Sequence, residues 1–230
     1  MTLLGACFDV DAVIVDLDGT MVDTMGDFVV ALNLMLADLP EPYRHHQVDC
    51  ATVSRLVGKG SEHLLSSILS LCGGPVGALE ALYAQAWPSY QQHYLDINGQ
   101  HSRVYPGVIA GLKRLQAQGL KLACLTNKPT ALALPLLKAK GLAHFFELSF
   151  GGDAFERKKP DPLPLLKTCQ ALGTLPQRTL MIGDSSNDAQ AARAAKCPAL
   201  LVTYGYNHGE PIREVDADAF VDSLEELVAA

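Results

Sequence analysis

Two aspartates, Asp16 and Asp18, are the first residues whose types and spacing could do chemistry. They lie at the end of the apolar run 12–17 and precede Gly19, which permits a sharp turn. In an extended strand, side chains two residues apart face the same side, so both carboxylates should share one region. Two solvated carboxylates at a strand end are the simpler interpretation. The apolar neighbours disfavour it, because burying unpaired charge is costly and close carboxylates repel unless a cation neutralises them.

A second acidic segment, GDSSND at 183–188, follows the apolar residues 180–182. Alone, this spacing of Asp184 and Asp188 also fits a helix N-cap with a carboxylate in the first turn. If both acidic segments reach the same edge of one sheet, their oxygens form the kind of site that Mg²⁺ prefers. The two segments together therefore predict a divalent-cation site.

Two further segments could bind an anion. Thr126 and Asn127 follow the apolar run 120–125 and offer a hydroxyl, an amide and backbone N–H groups. Lys159 stands before Pro160 and supplies a positive charge. An isolated lysine of this kind would be a solvated surface residue. It gains interest only in combination with the other groups.

Alternating elements must position these residues. Apolar runs predict buried strands, and helical patterns separate the later ones. The predicted strands span 12–17, 120–125, 180–182 and 199–202, and the predicted helices span 108–118, 130–140, 161–172 and 189–195. Pro135 should kink or restart its helix. This order indicates βαβ units and a parallel sheet, whose ligands bind outside the carboxyl ends of the strands.

The stretch 23–102 has a different character. Its apolar residues recur at helical spacing, as at Phe28, Leu32 and Met35, and none of its runs resembles a strand. We expect a helical insertion with a small core of its own, placed between the first strand and the next βα unit.

Composition restricts the function. The 230 residues carry a formal net charge of −7, which disfavours nucleic acid and acidic membranes as partners. No apolar stretch approaches the roughly 18 residues of a membrane span, and the first residues do not resemble a secretory signal. The six scattered cysteines form no CxxC pair. They are expected to be free thiols in a reducing cytoplasm.

Four motifs in this order resemble the haloacid dehalogenase-like hydrolase superfamily: DLDGT at 16–20, LTN at 125–127, KP at 159–160 and GDSSND at 183–188. The resemblance covers essentially the whole chain. It implies an α/β fold, with a doubly wound (Rossmann-like) parallel-sheet core and an inserted all-helical cap domain. On that pattern, residues 1–22 and 103–230 would form the core and residues 23–102 the cap.

The resemblance also implies a Mg²⁺-dependent phosphomonoesterase. Asp16 would be the nucleophile that forms an aspartyl-phosphate, and Asp18 the general acid and base. Mg²⁺ would be held by Asp16, by the backbone carbonyl of Asp18 and by Asp184. The phosphate oxygens would be held by Thr126, Asn127 and Lys159, with Asp188 supporting either the metal site or Lys159.

Further segments are similar to the phosphoglycolate phosphatases of bacteria: VGKG at 57–60, YPGV at 105–108, TNKP at 126–129 and VTYGYNHG at 202–209. This similarity implies a small phosphorylated metabolite as substrate and a monomer or homodimer. Gly58 and Lys59 would read the substrate from the cap, with Lys59 pairing with a carboxylate, although an ordinary turn with an exposed lysine fits equally well. The family often has an uncharged residue in place of Lys59 and an arginine in place of Ser186.

Other functions stay open at this point. The same carboxylate pair serves phosphatases of sugar phosphates, such as N-acetylmuramic acid 6-phosphate, and mutases that resemble β-phosphoglucomutase. A receiver-like signalling domain also combines Mg²⁺ with a phospho-accepting aspartate, a threonine and a lysine. Its phosphorylated aspartate follows a later strand, however, and it has no long helical insertion.

Overall fold

The computed structural model describes residues 8–73 and 78–227 of the chain. Its strands are β1 (Ala12–Val15), β2 (Val22–Asp23), β3 (Arg103–Val104), β4 (Lys121–Leu125), β5 (Leu148–Phe150), β6 (Thr179–Gly183), β7 (Ala199–Val202) and β8 (Ala219–Val221). Six of them form one sheet in the order β5-β4-β1-β6-β7-β8, and every neighbouring pair in it is parallel. The predicted parallel sheet is confirmed.

Eight α-helices accompany the strands in these residues: α1 (Met25–Asp38), α2 (Cys50–Ser54), α3 (Ser61–Leu71), α4 (Ala78–Ile97), α5 (Val108–Ala117), α6 (Thr130–Ala139), α7 (Leu163–Leu172) and α8 (Ser186–Ala195). Helices α5 to α8 alternate with the strands of the sheet, as the sequence predicts. None of the helices in the described ranges is long and apolar enough to cross a membrane.

Strand β1 lies at the centre of the sheet and is fully buried. Val13 and Val15 pack into one hydrophobic cluster with helices α5 and α6, whereas Ala12 and Ile14 pack into another with α7 and α8. Because both faces are covered, β1 is apolar at every position, as is typical of a parallel sheet. The doubly wound α/β architecture is thereby confirmed.

The insertion contains helices α1 to α4 and follows β2. Their apolar faces form a third hydrophobic cluster, which includes Leu32, Met35 and Leu65. Strands β2 and β3 pair in antiparallel fashion where the chain enters and leaves this segment. The buried carboxylate of Asp27 accepts hydrogen bonds from the backbone N–H groups of Gly99 (2.9 Å) and His101 (2.7 Å), which fastens the start of α1 to the chain after α4.

Some elements differ from the sequence prediction. Strand β1 ends at Val15, two residues early, and the short strands β5 and β8 were not predicted. Helix α7 begins at Leu163, whose N–H bonds to Asp161 at 2.9 Å. Pro135 does not restart its helix, since α6 runs through it as one element, and a kink at this position stays a prediction. The buried face of α6 packs on the core.

Candidate active site

A small cavity, of about 40 Å³, lies beyond the carboxyl ends of the central strands. Helices α1 and α3 close its other side through Phe28 and Leu64, and the loop between α2 and α3 adds Val57. Its walls include most of the residues that the sequence singled out: Asp16, Asp18, Gly58, Thr126, Asn127, Lys159, Asp184 and Asp188. Lys59 is exposed and is not among the lining residues.

The order of the sheet explains how these residues meet. Strands β4 and β6 are the two neighbours of β1. Thr126 follows β4, Asp16 follows β1 and Asp184 follows β6, so three parallel strands deliver three polar side chains to the same edge. Parallel strands all end on the same side, and residues distant in sequence are therefore brought together by register alone.

Gly19 permits the close approach of the loop after β1 to Asp184. Its φ of +83° lies in the left-handed region, and its N–H donates to the carbonyl of Val22 at 2.9 Å. A Cβ at this position would lie 2.2 Å from Oδ2 of Asp184. Only glycine fits both the turn and the contact.

Lys159 lies between two carboxylates in the interior. Its Nζ is 2.9 Å from Oδ1 of Asp16 and 2.7 Å from Oδ1 of Asp188, and it also donates to the carbonyl of Leu125 at 2.9 Å. Burial lowers the pKa of the ammonium, but Asp16 and Asp188 outweigh it, so that the pKa of Lys159 is raised overall. The lysine therefore stays charged and supplies fixed positive charge at the end of β1.

Three buried carboxylates crowd this position. Asp16, Asp184 and Asp188 offer oxygens that lie within 4.8 Å of one another. Burial raises the pKa of Asp16 to about 7, against the pull of Lys159, with Asp188 and Asp18 adding to the rise. Burial, Asp188 and Asp16 raise the pKa of Asp184 well above its ordinary value. One lysine does not neutralise three buried acids, but the lysine and a divalent cation together would.

The donor set fits a hard cation. Oδ1 of Asp16 is buried, and in the described residues it has no well-directed hydrogen bond, only the Lys159 ion pair. Asp184 is oriented by the hydroxyl of Thr20 (3.0 Å) and the backbone N–H of Tyr206 (2.8 Å). Carboxylate oxygens held in this way can bind a metal ion. The chain thus has a buried group that could hold one.

Asp188 has a second task at the start of α8. Its Oδ2 accepts from the hydroxyl of Ser185 at 2.7 Å and from the backbone N–H of Ser185 at 3.2 Å. The second bond is one half of a capping box, in which the Ser185 side chain accepts in turn from the backbone N–H of Asp188. Because its other oxygen pairs with Lys159, Asp188 ties the start of the helix to the ammonium. Both oxygens of the Asp188 carboxylate therefore already have hydrogen-bond partners within the protein.

Asn127 joins three segments of the wall. Its amide nitrogen donates to the carbonyls of Lys159 (2.8 Å) and Gly58 (3.1 Å), and its Oδ1 accepts from the N–H of Lys159 at 3.0 Å. Asn187 donates to the same Gly58 carbonyl at 3.1 Å. The side chains of both asparagines thus hold the loop that carries Gly58 against the sheet edge.

Lys128 also lines the cavity, although no motif in the sequence pointed to it as a functional residue. It is buried, and its Nζ lies 3.2 Å from Oδ1 of Asp18 and 2.6 Å from the hydroxyl oxygen of Tyr94. The available signal was its place directly after Thr126 and Asn127 at a strand end. A lysine in a polar loop normally indicates a solvated side chain, and the contact with α4 is not visible in the sequence.

The comparisons with known proteins agree with this geometry. Residues 10–196 match the family model of the haloacid dehalogenase-like hydrolases. The chain belongs to this family, as its four motifs predicted.

Individual proteins named as phosphoglycolate phosphatases are similar to this chain over nearly its whole length. The chain is 46% identical to a phosphoglycolate phosphatase of Thiobacillus denitrificans, covering 94% of this chain and 93% of that one. It is 43% identical to a plasmid-encoded phosphoglycolate phosphatase of Cupriavidus necator, covering 95% and 91%. Among solved structures, a predicted phosphoglycolate phosphatase from Haemophilus somnus superimposes with a TM-score of 0.86 at 30% identity, over 95% of this chain and 96% of that one.

Proposed function

We propose that this protein is a Mg²⁺-dependent phosphatase that hydrolyses 2-phosphoglycolate to glycolate and phosphate. One observation carries the proposal: a buried aspartate at the end of the central strand, Asp16, is paired with Lys159 and faces a cavity that Asp18 also lines. Phosphoryl transfer through an aspartyl-phosphate needs a nucleophile, an acid and positive charge in one place, and Asp16, Asp18 and Lys159 all line this cavity. The named relatives support the choice of substrate.

In this proposal, an oxygen of Asp16 attacks phosphorus while the bond from phosphorus to the ester oxygen breaks. Asp18 gives its proton to the departing oxygen, so that glycolate leaves as an alcohol. Asp18 then takes a proton from water, whose oxygen attacks the same phosphorus. The bond to Asp16 breaks, which releases phosphate and restores the carboxylate.

The other residues bind and orient the phosphoryl group. Lys159, the hydroxyl of Thr126 and the backbone N–H of Asn127 would hold its oxygens, since each offers a donor at the end of β4 or beside it. Asp16, Asp184 and the backbone carbonyl of Asp18 would hold Mg²⁺. When bound, this cation supplies the positive charge that lets a carboxylate approach a phosphate dianion. Asp188 would keep Lys159 in place.

We also propose a division into two units, with residues 1–22 and 103–230 as the hydrolase core and 23–102 as a helical cap. Separate hydrophobic clusters and the β2–β3 pair at the junction support it, although residues 1–7, 74–77 and 228–230 lie outside the described structure. The cap would exclude water, and Gly58 and Lys59 would belong to its loop near the substrate.

We further propose a cytoplasmic protein that acts as a monomer or homodimer. All of the proposed site residues come from one chain, so the proposal requires no second subunit. Cys50, Cys72, Cys124, Cys169 and Cys197 carry free thiols, which suits a reducing compartment, whereas Cys7 lies outside the described residues.

The test is a substrate panel measured with Mg²⁺. We expect the highest kcat/KM for 2-phosphoglycolate, with lower values for glucose 6-phosphate and N-acetylmuramic acid 6-phosphate. Chelation should abolish turnover, and added Mg²⁺ should restore it. Faster hydrolysis of either sugar phosphate would contradict the substrate assignment. Conversion of β-glucose 1-phosphate to glucose 6-phosphate without release of phosphate would indicate a mutase instead.

A further inference from the structure

Two lysines line the cavity within the described residues, and they pair with different carboxylates. Lys159 is engaged with Asp16 and Asp188, where the phosphoryl group would bind. Lys128 is paired with Asp18 instead. On the proposed function, Asp18 contacts the oxygen that leaves with the organic product. Lys128 is therefore the cation on the leaving-group side.

The distances fix which part of a substrate Lys128 could reach. A general acid must lie within hydrogen-bond distance of the oxygen that it protonates. Nζ of Lys128 is 3.2 Å from Oδ1 of Asp18. It can therefore reach a charged group that is only one carbon away from the ester oxygen that Asp18 protonates. In 2-phosphoglycolate a single methylene separates the ester oxygen from the carboxylate. A charged group at the far end of a sugar would lie beyond this position.

The ammonium is held in place by the insertion. It lies 4.8 Å from the centroid of the Phe28 ring and 4.3 Å from that of Tyr94, and it donates to the Tyr94 hydroxyl at 2.6 Å. Aromatic faces attract a cation, and a fixed side chain loses less entropy when it binds a ligand. Helices α1 and α4 thus convert a flexible lysine into an oriented one.

The ammonium also has a donor to spare. Of its three N–H groups, one is directed to the Asp18 carboxylate and one to Tyr94. In the part of the chain that the structure describes, no third residue accepts from it. Lys59, the lysine that the sequence favoured for pairing with a carboxylate, is exposed outside the cavity walls.

We propose that Lys128 is the specificity-determining residue that binds a carboxylate on the leaving group, and that Tyr94 is its positioning residue. The inference rests on the proposed function and deepens it. It restricts the preferred substrates to short phosphorylated acids with one carbon between the ester oxygen and the carboxylate.

The experiment compares 2-phosphoglycolate with its neutral carboxamide, phosphoglycolamide, which has the same length. We expect wild-type protein to prefer the acid, and Lys128→Met to lower kcat/KM for the acid about 100-fold, as for the loss of a buried charge pair. Turnover of the amide should also fall, because the variant removes the ion pair with Asp18, but it should fall less than turnover of the acid, so the preference for the acid should collapse. Lys113→Met, which removes an exposed lysine from helix α5, is the matched control and should keep the wild-type preference.

The outcomes separate the two proposals. If wild-type protein hydrolyses neither compound, the proposed function fails. If it hydrolyses both equally well, or if Lys128→Met loses the same factor on both, Lys128 does not read the carboxylate and the inference is overturned while the phosphatase stands. Loss of the preference in Lys59→Met and not in Lys128→Met would also overturn it.

A second variant covers the case in which Lys128→Met does not fold. Tyr94→Phe removes only the hydroxyl that orients the ammonium. We expect its preference for the acid over the amide to fall about threefold to tenfold, the size of one lost hydrogen bond, mainly through KM for the acid. A folded Tyr94→Phe protein with the wild-type preference would overturn the positioning role and leave Lys128 without support.

Discussion

The carboxyl edge of the sheet and the helical insertion border the same cavity, but different forces hold them. The edge carries charged groups, whose positions follow from the parallel register of β4, β1 and β6. The insertion is held by apolar packing among α1 to α4, and its side chains Phe28, Val57 and Leu64 line the cavity. This contrast assigns the reacting groups to the sheet edge and the shape of the cavity to the insertion.

If the contrast is correct, a change at the sheet edge should remove the reaction and leave the fold intact. Asp16→Asn keeps the size of the side chain but removes the nucleophile. We expect turnover of 2-phosphoglycolate to fall about 10⁴-fold or more, as for other nucleophile deletions. Steady-state kinetics and circular dichroism measure the two effects together.

Asp9→Asn is the matched control for this variant, because the Asp9 side chain is mostly exposed and pairs with Arg178 on the surface. It should turn over substrate like wild type. Mg²⁺-dependent turnover retained in Asp16→Asn would contradict the assignment of the reacting group to the sheet edge, since the nucleophile would then lie elsewhere.

A change in the insertion should have the opposite character. Leu65 of α3 is fully buried in the cluster of the insertion, and Leu65→Ala should lower the free energy of unfolding by about 2–5 kcal/mol, through lost burial and a residual cavity. Urea denaturation checks the stability. At a temperature where the variant is folded, its kcat should stay within the range of wild type.

Leu71 is exposed at the end of the same helix, and Leu71→Ala is its control. An equal loss of stability in both variants would show that α3 is not held by the buried contacts described above.

The junction between the two regions should show an intermediate effect. Asp27 accepts two backbone hydrogen bonds from the chain after α4, and Asp27→Asn replaces one acceptor oxygen with a donor. We expect stability to fall by about 1–3 kcal/mol, because a buried N–H loses its partner. Hydrogen exchange at Gly99 and His101 should accelerate. Unchanged exchange there would contradict the fastening role of Asp27.

The smallest effect concerns the repulsion at the sheet edge. Without a cation, Asp16, Asp184 and Asp188 crowd one another, so Asp184→Asn should raise the Tm of metal-free protein by a few degrees, a modest gain for a chain of this size. Wild-type protein should gain Tm when Mg²⁺ is added, whereas the variant should not. Calorimetry with and without chelator measures both. A variant that gains as much as wild type would remove Asp184 from the cation site.

The sequence predicted the core better than the insertion, for physical reasons. Strands β1 and β4 are buried on both faces, so continuous apolar runs reveal them. The edge strands β5 and β8 have only three residues each and are mostly half-buried, so neither produces a continuous apolar run in the sequence. Within the insertion, the helical spacing at Phe28, Leu32 and Met35 correctly predicted helix α1, but α4 has a less regular pattern and contains Pro88.

The cavity shows the same division. The sequence predicted Asp16, Asp18 and Asp184, because a motif that directly follows a predicted strand must lie at the carboxyl edge of the sheet. No motif pointed to Lys128 as a functional residue, because its significance depends on Tyr94, which lies 34 residues earlier on helix α4, whereas Lys128 lies in the loop between β4 and α6. Lys59 was favoured on its glycine-flanked loop, yet its side chain is exposed. Local spacing does not tell which way a loop lysine points.

The central claim is that Asp16 becomes phosphorylated during turnover. The most direct measurement is to mix the protein with 2-phosphoglycolate and Mg²⁺, quench it during turnover and reduce the acyl phosphate with borohydride. Reduction converts a phosphorylated aspartate into homoserine, which peptide mass spectrometry locates. We predict homoserine at position 16 and only when substrate is present. Homoserine at another aspartate, or at none while phosphate is being released, would contradict the account.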